Sequence, residues 1–290
     1  MISAALVKEL REITGAGMMD CKRALVETKG NMEEAVTWLR EKGIMKAAKK
    51  ESRIAAEGVC AYAIAGNKAV VYEVNAETDF VAKNQKFLDL VSEIGNAILK
   101  SDAKNDEEAL EAKTAEGTVK DLVIAATATI GEKISLRRIN VFTKTDNQVF
   151  GAYSHMGGKI VALSVLDGNN AEVAKDVCMH VAAMSPKYLD RSKVDADFLA
   201  SETEILRQET LNEGKPENIV DKIVVGKVQK MLKTICLVDQ MFVKNQDITV
   251  GQYVKDNKSN IVTYIRLEVG EGIEKRKDDF VAEVMAAVNN

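Results

Sequence analysis

The sequence predicts an α+β protein: an N-terminal three-helix module, a duplicated core of small antiparallel sheets covered by helices, an inserted helical hairpin and a C-terminal helical module. Three observations predict it. Apolar residues recur at helical spacing through residues 1–43. An alternating hairpin pattern followed by a helical stretch occurs twice, which implies two related sheet-and-helix subdomains. A long helical segment with a central break interrupts the second copy. At 290 residues, 46% apolar and 29% charged, the chain has room for two or more domains of ordinary globular composition.

In the first module, Leu6, Leu10 and Ile13 share a helix face that Thr14-Gly15-Ala16-Gly17 breaks. Cys21, Leu25 and Thr28 line a second helix ending at Gly30. Asn31 caps a third, with Glu34 completing a box-like pattern; Ala35, Trp38, Leu39 and Lys42 continue its face until Gly43 stops it. Three short helices of this kind resemble a ubiquitin-associated domain, and Trp38, the only tryptophan, is expected to close its core. Residues 44–56 are basic and alanine-rich and read as a helical linker.

The strand pattern Gly58-Val59-Cys60-Ala61-Tyr62-Ala63-Ile64 meets turn residues Gly66-Asn67 and a second alternation over 69–74. It recurs at Gly151-Ala152-Tyr153-Ser154-His155, with a turn at Gly157-Gly158 and a strand over 160–166. Helical stretches at 84–100 and 171–184 follow the two hairpins. Each half closes with a strand, at 134–139 and 263–268. In the second half, Val194, Phe198, Glu202, Ile205, Glu209 and Asn212 mark one helix. Gly214-Lys215-Pro216 breaks it, with Pro216 suited to a first helical turn. Ile219, Ile223, Val228, Leu232 and Ile235 line the returning helix. This reads as an antiparallel, coiled-coil-like hairpin whose apolar stripe could pair with a second copy. A glycine hinge at 270–272 leads to an amphipathic helix at 280–288. The expected division is 1–53 for the module and linker, 54–147 for the first core half, 148–187 and 234–268 for the second, 188–233 for the inserted hairpin, and 269–290 for the C-terminal module. The local structure of 101–120 stays open.

Between the first hairpin and its helix lies Ala76-Glu77-Thr78-Asp79-Phe80-Val81-Ala82. An acid and a large aromatic are neighbours at a helix start. By spacing alone such a Phe is more often core, and such an Asp caps or offsets the helix dipole. The other reading is an intrusive tip, with the ring as wedge and the carboxylate competing for a partner's polar contacts.

The parts for catalysis are missing. The two histidines, His155 and His180, lie on different elements with no cysteine or histidine cluster nearby, so no metal site is expected. Neither a nucleophile elbow nor a phosphate-binding loop occurs, and Gly15-Ala16-Gly17 follows a helix rather than a strand, so no cofactor is expected. The net charge of −4 and a pI near 5.5 argue against binding nucleic acid directly and favour a protein partner. Four dispersed cysteines, the absence of a leader-like N-terminus and the lack of an 18-residue apolar run point to a reduced, cytoplasmic protein with no membrane segment.

Several long motifs occur in one order: Leu10-Arg11-Glu12-Ile13-Thr14-Gly15-Ala16-Gly17-Met18-Met19-Asp20-Cys21, Glu73-Val74-Asn75-Ala76-Glu77-Thr78-Asp79-Phe80-Val81-Ala82-Lys83, Ile130-Gly131-Glu132, His180-Val181-Ala182-Ala183, and Glu268-Val269-Gly270-Glu271-Gly272-Ile273-Glu274-Lys275. Together they resemble the elongation factor Ts family across nearly the whole chain. The resemblance implies a non-enzymatic guanine-nucleotide exchange factor for elongation factor Tu in translation elongation. It implies that Thr78, Asp79, Phe80 and Val81 form the exchange tip, which disturbs the magnesium and phosphate surroundings of bound GDP. It further implies partner contacts for Arg11, Met18, Met19 and His155. Met suits an adaptable surface, with core packing of one of the two methionines as the alternative. An adaptor built on the N-terminal module and a chaperone-like oligomer built on the hairpin are the competing functions.

Overall fold

The computed structural model describes residues 2–274 and is mixed α+β. It divides into two compact units. One takes in the chain up to Ala63, Val70–Val141 and the chain from Glu268; the other takes in Ile64–Ala69 and Phe142–Leu267.

The first unit begins with α1 (Ala4–Thr14), α2 (Met18–Glu27) and α3 (Met32–Ala48). Ser3 caps α1 by accepting the Leu6 N–H, and Gly15 ends it in the left-handed region at φ 65°. Asn31 accepts the Glu34 N–H at 3.2 Å and donates to the Glu34 carboxylate at 2.9 Å, which fixes the start of α3. Val7, Leu10, Cys21, Ala24, Leu25 and Ala35 form the small core, with Trp38 partly buried against it.

Contrary to the sequence expectation, α3 does not stop at Gly43. It runs to Ala48, taking in much of the expected linker. Gly43 serves packing instead: a Cβ there would lie 3.3 Å from that of Ala128. Ala128 lies on a later helix of the same unit (Val119–Ile130), and the missing side chain lets the two helices approach closely.

The core of this unit is the three-stranded sheet β1 (Glu57–Ala65), β2 (Lys68–Ala76) and β5 (Ser135–Thr143), with β2 central. Between β2 and β5 come α4 (Asp79–Ala82), α5 (Gln85–Lys100), α6 (Asp106–Leu110), the short pair β3 (Lys113–Thr114) and β4 (Gly117–Thr118), and α7 (Val119–Ile130). The elements α6, β3 and β4 settle the stretch left open by the sequence. Val70, Tyr72 and Val74 pack with Phe87, Val91, Ile94, Ile98, Val119, Ile134 and Leu136. The Tyr72 hydroxyl donates to the Val91 carbonyl at 2.7 Å in space that Gly95 leaves open.

The second unit holds a sheet of β6 (Gln148–His155), β7 (Ile160–Asp167) and the last strand of the described residues, β10 (Asn260–Glu268), in the order β10-β7-β6. β6 and β7 pair antiparallel from Gln148↔Asp167 to His155↔Ile160. α8 (Ala171–Met184) lies over them, with its Ala174 backbone pressed against Gly151, where a Cβ would come within 2.2 Å. Then α9 (Ala196–Asn212) and α10 (Glu217–Ile235) form the helical hairpin, tied by Lys227–Glu213 at 2.8 Å. Pro216 sits one residue before α10, as its N-cap. The hairpin β8 (Met241–Phe242) and β9 (Asn245–Thr249), α11 (Val250–Asp256) and β10 (Asn260–Glu268) complete the unit.

His180 is fully buried in α8, its Nε2 2.8 Å from Gln240 Oε1. The Val243 N–H donates to its Nδ1, so the neutral ring carries its proton on Nε2. The expected C-terminal helix at 280–288 lies outside the described residues.

Candidate functional site

The Thr-Asp-Phe-Val stretch forms a one-turn helix between β2 and α5. Thr78, extended at φ −126° and ψ 155°, caps α4 by accepting the Val81 N–H. Asn84 caps α5 five residues after Asp79 begins α4, so two helix starts follow each other at a corner. A four-residue helix cannot sustain itself, because nucleation costs more than one or two internal hydrogen bonds return. Its surroundings must hold it.

They do so through the turn after α7. Gly131 ends α7 at φ 90°, and the next residue, Glu132, places one carboxylate oxygen 3.0 Å from the Thr78 N–H and the other 2.7 Å from its hydroxyl. In return, the Lys133 N–H donates to the Glu77 carboxylate at 2.6 Å. Arg53 adds an ion pair to Glu77 at 3.2 Å. Thr127 accepts the Ile134 N–H at 3.1 Å and secures the far side of the turn.

On this fixed corner the four predicted residues take different roles. Val81 is partly buried against the first unit's core, and Ala82 is buried. Phe80 is 84% exposed. The expectation from spacing, that a Phe opening a helix packs inward, fails here because Val81 and Ala82 occupy the inward positions of the single turn. Asp79 pairs with Lys83 at 2.6 Å on the exposed side. Leaving a Phe ring in water forgoes roughly 1.5–3 kcal/mol of burial. A large apolar group held outward on a braced corner is built for contact.

Arg11, Met18 and Met19 also lie in the first unit, around the Gly15–Gly17 turn between α1 and α2. All three are exposed, Met18 at 45% and Met19 at 64%, so neither methionine belongs to the module's core. Ile13 joins them at 61%. Asp20 beside them is held below the usual carboxylate range, chiefly by its hydrogen bond from Lys46, with Arg23 adding to it. The module rests on α7 through Arg40–Asp121 at 2.9 Å and Lys50 donating to the Gly131 carbonyl. A cleft of about 620 Å³ between them is lined by Ile13, Trp38, Leu39, Ile44, Leu122 and Ala125, among others. The helix that carries the module therefore also ends in the turn that holds the tip.

His155 belongs to the second unit. It is the exposed last residue of β6, with Nδ1 3.2 Å from the Tyr153 hydroxyl. Met156 follows at φ 50° and 73% exposed.

Among the described residues no group of three or more His, Cys, Asp or Glu side chains could hold a metal ion, and no helix is long and apolar enough to cross a membrane. All four cysteines are buried, and burial pushes the Cys60 and Cys178 thiols up to about 12, which removes them as nucleophiles. Sequence reasoning places Glu132 and Glu77 in motifs but gives neither a role in bracing the tip. Glu132 was visible only as part of Ile130-Gly131-Glu132, because no spacing rule joins residues 54 positions apart.

The comparisons with known proteins point to one family, two relatives aligning along essentially the whole chain. A family model described as elongation factor TS matches residues 77–271. Elongation factor Ts of Acholeplasma laidlawii (strain PG-8A) is 54% identical over 293 aligned positions, covering 99% of both chains. Elongation factor Ts of Lactiplantibacillus plantarum is 54% identical over 289 positions, covering 100% of this chain and 99% of the relative.

Proposed function

The chain belongs to the elongation factor Ts family, the non-catalytic nucleotide-exchange factors of elongation factor Tu in translation elongation, and we propose that it acts through the tip formed by Thr78, Asp79, Phe80 and Val81. The observation that carries this reading is Phe80, 84% exposed on a one-turn helix whose cap and flanks are fixed by hydrogen bonds. In this reading Phe80 enters the nucleotide domain of the GTPase, and Asp79 exchanges Lys83 for polar groups around the magnesium and phosphates. Arg11, Met18 and Met19 hold the same domain, and His155 meets the partner from the second unit. The empty GTPase stays bound until GTP enters and expels the factor, as linkage requires.

Magnitudes assign the roles. A nanomolar GDP complex is worth roughly 12 kcal/mol. Weakening it about 10⁴-fold takes roughly 5.5 kcal/mol of differential binding. One Phe side chain supplies about 1.5–3 kcal/mol. The tip redirects binding energy into the nucleotide site, and the exposed Ile13, Met18 and Met19 surface supplies much of the remainder.

The proposed division follows the sequence: a ubiquitin-associated-like module at 1–53, core parts at 54–147, 148–187 and 234–268, the hairpin insertion at 188–233 and a helical module at 269–290. The exposed Ile205, Ile219 and Val225 on the hairpin are the proposed surface for a second copy. The proposed location is the cytoplasm. Stopped-flow release of a fluorescent GDP from elongation factor Tu tests the central reading. The protein should accelerate release, and Phe80→Ala should lower the maximal rate more than it weakens association; unchanged release kinetics in the variant would sink the wedge role.

A further inference from the structure

We propose that Glu132 is a positioning residue of the exchange tip, which sets, through Thr78, the direction in which Phe80 leaves the surface. The proposal rests on the reading of Phe80 as the intruding group and adds a residue on which that reading depends.

The geometry is a reciprocal clasp between two dipeptides, Glu77-Thr78 and Glu132-Lys133. Each gives a carboxylate and takes a backbone N–H from the other. Hydrogen bonds to an ionised carboxylate are about twice as strong as neutral ones. Glu132 takes two of them from Thr78, one on each of its oxygens.

The hydroxyl chemistry makes the clasp directional. A threonine hydroxyl has a single proton and two lone pairs. Thr78 commits the proton to Glu132 at 2.7 Å, which leaves its lone pairs to accept the Val81 N–H and cap α4. Without Glu132 that proton is free to turn, and the N-cap loses its fixed orientation. α4 is only one turn long, and Thr78 supplies both its side-chain cap and, through its carbonyl, the acceptor for the Ala82 N–H at 3.3 Å. Phe80 is the second residue of that turn, and its ring has no packing of its own to hold it. Any freedom at Thr78 is therefore freedom of the Phe80 ring. Glu132 in turn is placed by the left-handed Gly131, whose N–H donates to the Thr127 carbonyl at 3.1 Å. The device thus runs from the end of α7 to the ring.

The test uses the full chain with elongation factor Tu loaded with fluorescent GDP. Maximal stimulated release rate and half-saturating factor concentration are measured for wild type, Glu132→Ala, Phe80→Ala and the double variant. Glu132→Ala should lower the maximal rate about tenfold, the worth of one charge-assisted hydrogen bond, with a smaller change in half-saturation. The double variant should be no slower than Phe80→Ala alone, because the two act through one ring. Cooperative unfolding of Glu132→Ala shows that the chain is intact. Should it fail to fold, Glu132→Gln carries the same test: it keeps the volume and one acceptor oxygen, and should fall between wild type and Phe80→Ala. A full maximal rate in the folded Glu132 variant, or effects that multiply in the double variant, overturns the proposal. Phe80→Ala distinguishes the failures. If it is slow while Glu132→Ala is fast, the positioning role alone falls; if it is itself fast, the underlying reading falls with it.

Discussion

The backbone N–H of Gly270 donates to the carboxylate of Glu73 at 2.7 Å, although the two are 197 positions apart. Glu73 lies on the central strand β2, its side chain fully buried, and it also takes Arg137 Nε, Arg138 Nε and Asn75 Nδ2, each at 2.7 Å. Arg138 reaches on to the Glu271 carboxylate at 2.7 Å. One buried anion therefore binds the closing strand β5 and the turn after β10 to the strand that ends in the tip.

Glu73→Ala should destabilise the protein by about 3–5 kcal/mol, since it strands two partly buried arginines and the Gly270 N–H. Glu73→Gln keeps the volume and one acceptor and should cost less. Urea unfolding at neutral pH ranks the three proteins; an Ala variant as stable as wild type would show the node to be dispensable.

The same node predicts an acid response. Burial raises the Glu73 carboxyl, but the Gly270 N–H, Arg137, Asn75 and Arg138 outweigh it and hold the group below its ordinary 4.5. A depressed folded-state value contributes stability that is complete above the unfolded value and drains as pH falls through the folded one. The stability gap between wild type and Glu73→Gln should therefore be constant from neutral pH to about 5 and shrink on further acidification. Urea midpoints at pH 7, 5, 4 and 3 measure it, and a gap independent of pH would contradict the assignment.

His180 gives a separate signal in the second unit. Burial lowers it from 6.5, opposed by its bond to Gln240. Below pH 6.5 the unfolded chain takes up a proton that the folded chain refuses, so stability falls with acid, by up to about 1.4 kcal/mol per pH unit. His180→Gln should be less stable at pH 7.5 yet flatter between pH 7 and 5.5. Imidazole resonances should show His180 taking up its proton at lower pH than a free imidazole does.

Phe80 separates contact from packing. At 84% exposure the ring contributes little to folding, so Phe80→Ala should change unfolding free energy by no more than about 0.5 kcal/mol. A core phenylalanine truncated to alanine would instead cost about 3–5 kcal/mol. Thermal unfolding beside the release assay reads both quantities on one preparation, and a strongly destabilised variant would return Phe80 to the core.

What the sequence made legible was local. The alternation over 69–74, the Gly66-Asn67 turn, the Asn31–Glu34 cap and the helical period of 171–184 each report a repeat or a cap within a few residues, and the structure holds them as β2, its hairpin, the start of α3, and α8. The cap at Thr78 is local in the same way, but spacing alone favours a buried Phe80, and the reading of an intrusive tip rests on the family resemblance. The side chains that hold the tip were not legible. Glu132 meets Thr78, and Glu73 meets Gly270, through chain reversals that leave no periodic trace. Short elements such as α6, β3 and β4 escaped because two to five residues are too few to display a period.

Gly43 lies inside α3 rather than at its end, and its neighbours explain why. A glycine after an apolar face ordinarily marks a helix end, since it lowers helix stability by about 1 kcal/mol relative to alanine. Here the helix continues and the glycine is buried, because the space above it belongs to Ala128. Gly43→Ala should be close to neutral, the propensity gain offset by a 3.3 Å contact that must open slightly. Gly43→Leu has no such space and should force α3 away from α7, breaking Arg40–Asp121 and the Lys50 bond to Gly131. The module's own core, centred on Leu10 and Leu25, should survive. The expected result is faster proteolysis in the basic stretch after α3 and a higher half-saturating concentration in the exchange assay. The maximal release rate should change less, because Glu132 and Thr78 lie on the far side of the break. A Leu variant with wild-type half-saturation would show that docking of the module on α7 is not what presents Arg11, Met18 and Met19.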